Sequence, residues 1–372
     1  MFFLTLLYKI FGHNVRMVYF MQILLFSVSC ILVFLITKEI FNERAAGYTA
    51  FFTAICPTLA NYAIYLYSES FSVFILIFCI FSILKAKGTQ LAKWYVISGL
   101  LLGFMVLCKA VMIFFIVPVM FYLYINKRTI KIILLFLMFI LPVISWSLKN
   151  YFAFGSFRLA DRGGMVLLIR AYKTGDSIEK MKETAVYAFS EYLGSRFFPD
   201  PAVESRDFLF QDDYRVHREY AALLKEGKGP AYADDFMRRK AILIIKQHPI
   251  KYLLQTPIEF LRLLSFMYLP SLNEKSAIDR FEKIRNGPVI LSAIRGAYKL
   301  TAFLILFMSI AGICFRKIIW QKEFIVLAVI LYVNLAYGLL YGYPRYSVPL
   351  IPFYFIFAVV GVMRICRQKI YE

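Results

Sequence analysis

The chain has few histidines and cysteines for its 372 residues, and the ones it has are poorly placed for a metal site. Its three histidines, His13, His217 and His248, are scattered, and none lies in a Cys/His spacing typical of zinc sites. All six cysteines lie in or beside apolar stretches, which excludes a disulfide framework: Cys30, Cys56, Cys79, Cys108, Cys314 and Cys366. The sequence therefore predicts no metal site and no disulfide-rich secreted domain.

Acidic residues are scarce outside the middle of the chain. Of the 23 Asp and Glu residues, 18 fall between Lys149 and Pro288. The others are Glu39, Glu43, Glu69, Glu323 and Glu372. The composition is 61% hydrophobic and 18% aromatic, well above the roughly 45–50% apolar content of soluble domains. We expect an all-α polytopic membrane protein with one polar, water-facing segment, because charges are too costly in hydrocarbon.

Apolar runs long enough to cross a bilayer predict about nine transmembrane helices. The predicted spans are 17–37, 45–62, 66–84, 94–109, 111–126, 131–149, 293–315, 322–341 and 346–364. The fourth and fifth are short, so a broken pair meeting at Lys109 is an equal alternative to two full spans. The predicted domains are an N-terminal transmembrane bundle (1–149), an external helical region (150–290) and a C-terminal transmembrane bundle (291–372).

Basic residues predict the orientation. Alternate short loops carry 14 Lys and Arg on one side and only Lys9, Arg16, Lys109 and Arg345 on the other. The positive-inside rule places the richer side in the cytoplasm and the polar middle outside, in the periplasm of a plasma (inner) membrane protein. The net charge of +20 therefore reflects topology rather than nucleic-acid binding. The N-terminus would also lie outside, and since Phe2–Phe11 is too short to span, a preceding span is expected to be missing.

The polar middle is predicted to be helical. Lys149–Gly164 is expected to form a loop, followed by amphipathic helices over about 176–198, 204–226 and 232–247. Residues 250–269 mix apolar and charged side chains. This pattern favours a helix lying in the outer interface, with a further span as the alternative.

Three polar sites are predicted at the outer membrane face, where apolar spans begin or end. They are Ser68-Glu69, Lys109, and Tyr343-Pro344-Arg345-Tyr346. Arg345 suits a bidentate phosphate contact and Lys109 a point charge, while Glu69 can act as a base. Each has a structural alternative: helix capping for Glu69, snorkelling for Lys109 and interface anchoring for Arg345. Asp212-Asp213 and Asp234-Asp235 have the chemistry of metal ligands, but an exposed helix face is the favoured interpretation.

The order of several motifs resembles a known family, the polytopic C-type fold glycosyltransferases that use polyprenyl-phosphate sugars. Relatives in that family are the dolichyl-phosphate-mannose protein mannosyltransferases and the 4-amino-4-deoxy-L-arabinose lipid A transferases. The matching stretches are 6–12 with Arg16, 40–46, Cys56-Pro57, Ser68-Glu69, 99–103, 107–109, 146–151 with Gly155, His248-Pro249 with Tyr252, and 344–352. Their order and spacing, rather than any single motif, carry the resemblance.

The resemblance implies a membrane glycosyltransferase that moves a sugar from a polyprenyl-phosphate donor to a glycan, lipid or protein acceptor at the outer face. It implies Glu69 as the catalytic carboxylate, and Arg345, Lys109 and Tyr346 as contacts to the donor phosphate. The only cofactor-like molecule is the polyprenyl-phosphate-linked sugar itself. The family's principal acidic residue lies upstream of the segment matched here, so a catalytically incomplete remnant is one alternative. A lipid-linked saccharide flippase or transporter, and a polysaccharide polymerase or ligase, are the others.

Overall fold

The computed structural model describes residues 2–124, 129–160, 162–189, 197–198, 211–265, 289–314 and 319–366. Throughout these ranges the regular structure is helical, with no strand. This confirms the all-α class that was predicted from the apolar runs and from the lack of alternating strand patterns.

Sixteen α-helices can be placed in the described ranges. The first eight are α1 (Phe2–Phe11), α2 (Val15–Ile40), α3 (Glu43–Ala54), α4 (Pro57–Tyr62), α5 (Glu69–Thr89), α6 (Ala92–Cys108), α7 (Ile116–Tyr124) and α8 (Thr129–Phe154). The other eight are α9 (Gly163–Tyr172), α10 (Ile178–Phe189), α11 (Gln211–Lys225), α12 (Pro230–Gln247), α13 (Pro249–Leu264), α14 (Val289–Cys314), α15 (Trp320–Leu340) and α16 (Ile351–Ile365). Short 3-10 helices precede α7 (Ala110–Phe115) and α16 (Pro344–Leu350).

Six helical segments in the described ranges are long and apolar enough to cross a membrane. They are Val15–Ile40, Glu69–Thr89, Ile130–Phe154, Gly296–Cys314, Trp320–Leu340 and Pro344–Ile365. The protein is thus an integral membrane protein, but the predicted count of about nine spans is not confirmed. Ala92–Cys108 and Ala110–Tyr124 are apolar but shorter.

The predicted span 45–62 is instead two short helices. Helix α3 ends at Ala54 and α4 begins at Pro57, with Cys56 in an extended conformation between them. The cause is Pro57, since a proline disfavours the helical conformation of the residue before it and cannot donate to the preceding turn. Pro57 occupies the first turn of α4, where its missing N–H is tolerated.

The chain divides into two compact units. The first comprises Met1–Leu159, Leu304–Val333 and Ser347–Glu372, and the second comprises Ala160–Phe303 and Asn334–Tyr346. Helices α14 and α15 contribute residues to both units.

In the first unit, two glycines allow a close crossing of α6 and α8. A Cβ atom on Gly99 would lie 2.3 Å from the carbonyl oxygen of Leu135, and one on Gly103 would lie 2.7 Å from that of Phe139. Small residues four positions apart let helices approach in an apolar bundle, where the hydrophobic effect contributes little to association. The spacing of Gly99 and Gly103 thus fixes the packing of α6, which ends at Cys108, just before Lys109.

In the second unit, α9 packs against α11 and α12 around a small apolar core. Its buried members are Met165, Leu168, Ile169, Ala171, Val216, Met237, Ala241 and Tyr341. Asp234 on α12 accepts hydrogen bonds from the backbone N–H groups of Gly164, at 2.7 Å, and Met165. These are N–H groups of the first turn of α9, so Asp234 supplies from another helix the cap that α9 lacks in its own sequence.

Several boundaries in the polar middle were predicted and one was wrong. Lys149–Gly164 is not one loop, because α8 continues to Phe154 and ends at Gly155, which has φ +66°. Helix α12 matches the predicted 232–247 and ends at His248-Pro249 as expected. Parts of the predicted helices 176–198 and 204–226 lie outside the described residues, and α10 and α11 cover the remainder.

Helix α13, which begins at Pro249, exposes apolar side chains and buries charged ones, the reverse of a helix on the surface of a water-soluble protein. Ile250, Leu253 and Leu254 are 72%, 64% and 62% exposed, whereas Glu259 and Arg262 are buried. A helix with this pattern is stable where its outer face meets lipid rather than water.

Candidate functional site

Glu69, predicted as the catalytic carboxylate, is fully buried at the start of α5. Ser68, the N-cap residue of α5, makes no side-chain capping hydrogen bond, and Glu69 lies in the first turn of the helix. The next residue, Ser70, donates a 2.8 Å hydrogen bond to the backbone carbonyl of Tyr62, which fastens the tyrosine-rich turn to α5. The fold therefore holds Glu69 at a fixed point at the end of an apolar helix.

Lys109 lies where the apolar helix breaks. Helix α6 ends at Cys108, Lys109 is extended (φ −140°, ψ 91°), and a 3-10 helix begins at Ala110. The Lys109 N–H donates to Met105 and its carbonyl accepts from Met112. The structure thus supports the broken-pair alternative that the sequence left open.

The structure brings Glu69 and Lys109 together. The Lys109 Nζ donates to Glu69 Oε1 at 3.0 Å, and the two side chains are 10% and 0% exposed. The Lys109 ammonium is thus directed at a buried carboxylate rather than at solvent, contrary to the snorkelling alternative. A buried pair of this kind keeps both groups charged in apolar surroundings, where an isolated charge is very costly.

A buried glutamine and three aromatic residues hold the turn that precedes Glu69 in the chain. Gln22, in the middle of α2 and fully buried, donates through Nε2 to the carbonyl of Tyr67 at 3.2 Å. The rings of Tyr65 and Tyr67 are stacked at 5.6 Å between centroids, and those of Tyr62 and Tyr67 are tilted at 6.1 Å. Tyrosine rings offer flat surfaces and hydroxyl groups of the kind that sugars pack against.

Arg345 and Tyr346 belong to the second unit. Both are half-buried in the 3-10 helix Pro344–Leu350 that leads into α16. The Tyr346 ring is stacked on Tyr337 with centroids 4.5 Å apart, and its N–H donates to the Tyr343 carbonyl at 2.9 Å. The backbone that carries Arg345 is therefore held by aromatic stacking on the end of α15.

A buried charge cluster centred on Glu259 lies in the same unit and was not predicted from the sequence. Glu259 Oε1 accepts from Lys173 at 2.7 Å and from Arg262 at 3.3 Å, and Oε2 accepts from the backbone N–H of Gly342 at 2.7 Å. The only signal in the sequence was a carboxylate and an arginine three residues apart on a helix with many apolar residues. Their pairing with Lys173 and Gly342 needs the tertiary fold.

The charges around Glu259 make the stability of this unit pH-dependent. Burial by itself raises the pKa of Glu259, but the nearby Lys173 and Arg262 outweigh it and lower the pKa from 4.5 to about 2. In the folded protein Glu259 therefore binds its proton less readily than in the unfolded chain. Its stabilising contribution is fully present above pH 4.5 and is lost as the pH falls towards 2.

We expect the difference in melting temperature between the wild type and Glu259→Gln, measured in detergent, to be largest above pH 4.5 and to shrink as the pH falls towards 2. Comparing the two proteins at each pH cancels the titration of other groups. The same comparison with Glu219→Gln, a partly exposed glutamate that pairs with Lys240, should change in the same direction but less, because its pKa is also lowered while solvent screens its charge. A wild-type advantage that grows on acidification would contradict the lowered pKa of Glu259.

Members of the two aspartate pairs Asp212-Asp213 and Asp234-Asp235 bond to other protein groups. Asp234 is fully buried and forms the cap of α9, so the interpretation of this residue as part of an exposed helix face was wrong. Asp213 accepts from the Tyr341 hydroxyl at 2.9 Å and 3.1 Å. Across the described residues, no group of three or more His, Cys, Asp or Glu side chains is placed to hold a metal ion.

Long apolar helices, and a buried ion pair between the start of α5 and the end of the shorter apolar helix α6, define an integral membrane protein with a polar site at the ends of two apolar helices. Residues 1–147 match the model of the family described as dolichyl-phosphate-mannose-protein mannosyltransferase. This confirms, over that part of the chain, the resemblance noted from the motifs, and it indicates a membrane glycosyltransferase. No curated protein and no solved structure gives a significant match.

Proposed function

We propose that the chain transfers a sugar from a polyprenyl-phosphate donor to an acceptor at the outer face of the plasma membrane, with the polar middle on the periplasmic side. The observation that supports this most directly is the buried Glu69–Lys109 pair, 3.0 Å apart. Both residues lie within the part of the chain that matches the mannosyltransferase family. The lipid chain of the donor lies among the apolar helices, and its phosphate is at the membrane surface.

In this proposal Glu69 is the catalytic base. It takes the proton from an acceptor hydroxyl while that oxygen attacks the anomeric carbon of the donor sugar. The bond from that carbon to the phosphate oxygen breaks, the configuration inverts, and polyprenyl phosphate leaves with the bonding electron pair. Lys109 stabilises the negative charge that develops on the phosphate, and its contact with Glu69 keeps both charges in place before substrate binds.

Arg345 and Tyr346, which belong to the second unit, are proposed as further contacts to the donor phosphate. A guanidinium can hold a phosphate through two parallel N–H···O bonds, which fixes its orientation as well as its charge. The Tyr346 hydroxyl adds a single neutral hydrogen bond. The acceptor is a glycan, a lipid or a protein that presents a hydroxyl at the outer face.

The variant Arg345→Ala tests the donor site with a probe that contains no sugar, so the identity of the sugar need not be known. Undecaprenyl phosphate, the product common to bacterial donors of this type, is the probe, and its affinity for the purified protein in detergent is measured. We expect the substitution to weaken binding about tenfold or more, because a hydrogen bond to a charged group contributes about 1.5–3 kcal/mol. Arg345→Lys keeps the charge but loses the bidentate geometry and is expected to weaken binding less.

Arg364→Ala is the matched control, because Arg364 is an exposed arginine near the other end of Pro344–Ile365. We expect it to bind the probe as the wild type does. Unchanged affinity in Arg345→Ala would remove Arg345 from the donor site. In native membranes, lipid-linked sugar that crosses the bilayer without any release of polyprenyl phosphate would favour a transporter instead.

A further inference from the structure

We propose that Glu259 is a positioning residue: through Gly342 it holds the segment Tyr341–Tyr346 so that Arg345 is placed to bind the donor phosphate. This inference rests on the proposed function, because it concerns how the Arg345 contact is built. Glu259 itself touches no substrate in this scheme. All the contacts that support it lie within the second unit.

The first observation is how closely α13 approaches the segment. Glu259 Oε2 accepts a 2.7 Å hydrogen bond from the Gly342 N–H, and a Cβ atom on Gly342 would lie 1.9 Å from the backbone oxygen of Glu259. One turn earlier, Gly338 on α15 faces the Phe260 ring, with 2.6 Å from its ideal Cβ position to Phe260 Cε1. The segment is therefore seated against α13 by both a side-chain bond and backbone contact.

The second observation is that the hydrogen bond comes from a carboxylate that is itself rigidly held. Glu259 is 2% exposed and is fixed by Lys173 and by Arg262, which is one turn along the same helix. A charge-assisted hydrogen bond is stronger than a neutral one, and in a buried site it is not weakened by competing water. Gly342 is thus bound to a fixed point.

The third observation connects Gly342 to Arg345. The residues around Arg345 form an aromatic group in which Tyr341 and Tyr343 are stacked at 6.3 Å and Tyr346 is 6.4 Å from Tyr341. The Tyr341 ring also lies under the Lys173 ammonium, 4.8 Å from its centroid, and its hydroxyl donates to Asp213. A shift at Tyr341-Gly342 therefore propagates through these rings to the turn that carries Arg345.

Three further hydrogen bonds anchor α13 itself. Arg170 on α9 is fully buried and donates to Gln255 Oε1 at 2.6 Å and to the Tyr252 carbonyl at 2.7 Å. The Tyr252 hydroxyl in turn donates to the carbonyl of Leu339 at the end of α15, at 2.6 Å. The helix that carries Glu259 is therefore tied both to α9 and to the end of α15, two residues before the Tyr341–Tyr346 segment.

A double-mutant cycle distinguishes positioning from a general structural role. Undecaprenyl phosphate binding is measured for the wild type, Glu259→Gln, Arg345→Ala and the double variant. We expect Glu259→Gln to weaken binding about fivefold in the wild-type background and to have no effect when Arg345 is already absent. Glu219→Gln, which removes a charge elsewhere in the same unit, should change binding in neither background.

Gly342→Ala disturbs the Glu259–Gly342 contact from the glycine side and leaves every charge in place. It is expected to weaken undecaprenyl phosphate binding about as much as Glu259→Gln does, and only when Arg345 is present. If Glu259→Gln does not fold, Gly342→Ala is used in its place. If Arg345→Ala weakens binding while Gly342→Ala and Glu259→Gln do not, the positioning role is wrong and the proposed donor site stands. The positioning role would also be wrong if Glu259→Gln weakened undecaprenyl phosphate binding equally with and without Arg345. If Arg345→Ala bound undecaprenyl phosphate as tightly as the wild type, the proposed donor site itself would be wrong.

Discussion

Glu69→Gln is expected to lower the rate of sugar transfer by a factor of about 100 to 10,000, the range typical of a lost general base. Glutamine keeps the size of the side chain and an oxygen that can accept from Lys109, but it cannot take a proton from the acceptor hydroxyl. Binding of undecaprenyl phosphate should persist, because the positive charges proposed to hold the phosphate remain. The measurement is the release of polyprenyl phosphate from lipid-linked sugars of the native host, by protein expressed from its own genomic locus.

Glu323→Gln is the control for this experiment. Glu323 is also fully buried in the first unit, and it accepts from the backbone N–H of Ile319 at 2.9 Å near the start of α15. It lies on the predicted cytoplasmic side, away from the proposed chemistry, so transfer should fall only as far as the amount of folded protein falls. Transfer at the wild-type rate in Glu69→Gln would show that another group removes the proton.

The helical class was predictable because long apolar runs leave few alternatives in a membrane. The break at Lys109 and the end of α12 at His248-Pro249 were also signalled locally, by a charge in an apolar run and by a proline. The division of 45–62 into two helices was missed even though Pro57 was noted, because hydropathy averaged over a window of 20 residues hides a single break. The predicted end of α8 is wrong because Lys149 and Asn150 are typical of the end of an apolar span, whereas the helix continues to Phe154.

For the proposed site too, the sequence identified some of the residues but not how they pair in the fold. Glu69 and Lys109 were each identified as ionisable residues at the ends of apolar helices, but nothing in a sequence separation of 40 residues indicates a 3.0 Å ion pair. The Glu259 cluster was missed because α13 buries its charged face and exposes its apolar face, the reverse of the usual amphipathic pattern. The sequence of α13 shows the helical periodicity but does not show which face is buried. The positions of Lys173 and Gly342 in the fold show that the charged face is the buried one.

Lys109→Met is expected to destabilise the protein by about 3–5 kcal/mol, the usual cost of removing one partner from a buried ion pair. The methionine fills a similar volume, but the Glu69 carboxylate, with a side chain 0% exposed, loses the ammonium 3.0 Å away. Thermal unfolding in detergent measures the loss as a lower melting temperature. Lys93→Met is a suitable control, because Lys93 lies near the opposite end of α6 and is exposed.

The double variant Glu69→Met, Lys109→Met separates stability from activity. Replacing both members of a buried ion pair by apolar side chains of similar size is often neutral or stabilising, so the melting temperature should return to near the wild-type value. Sugar transfer should not return, because neither the proposed base nor its partner is present. A Lys109→Met protein as stable as the wild type would show that the pair is not buried as described, and a double variant that regains transfer would remove both residues from the chemistry.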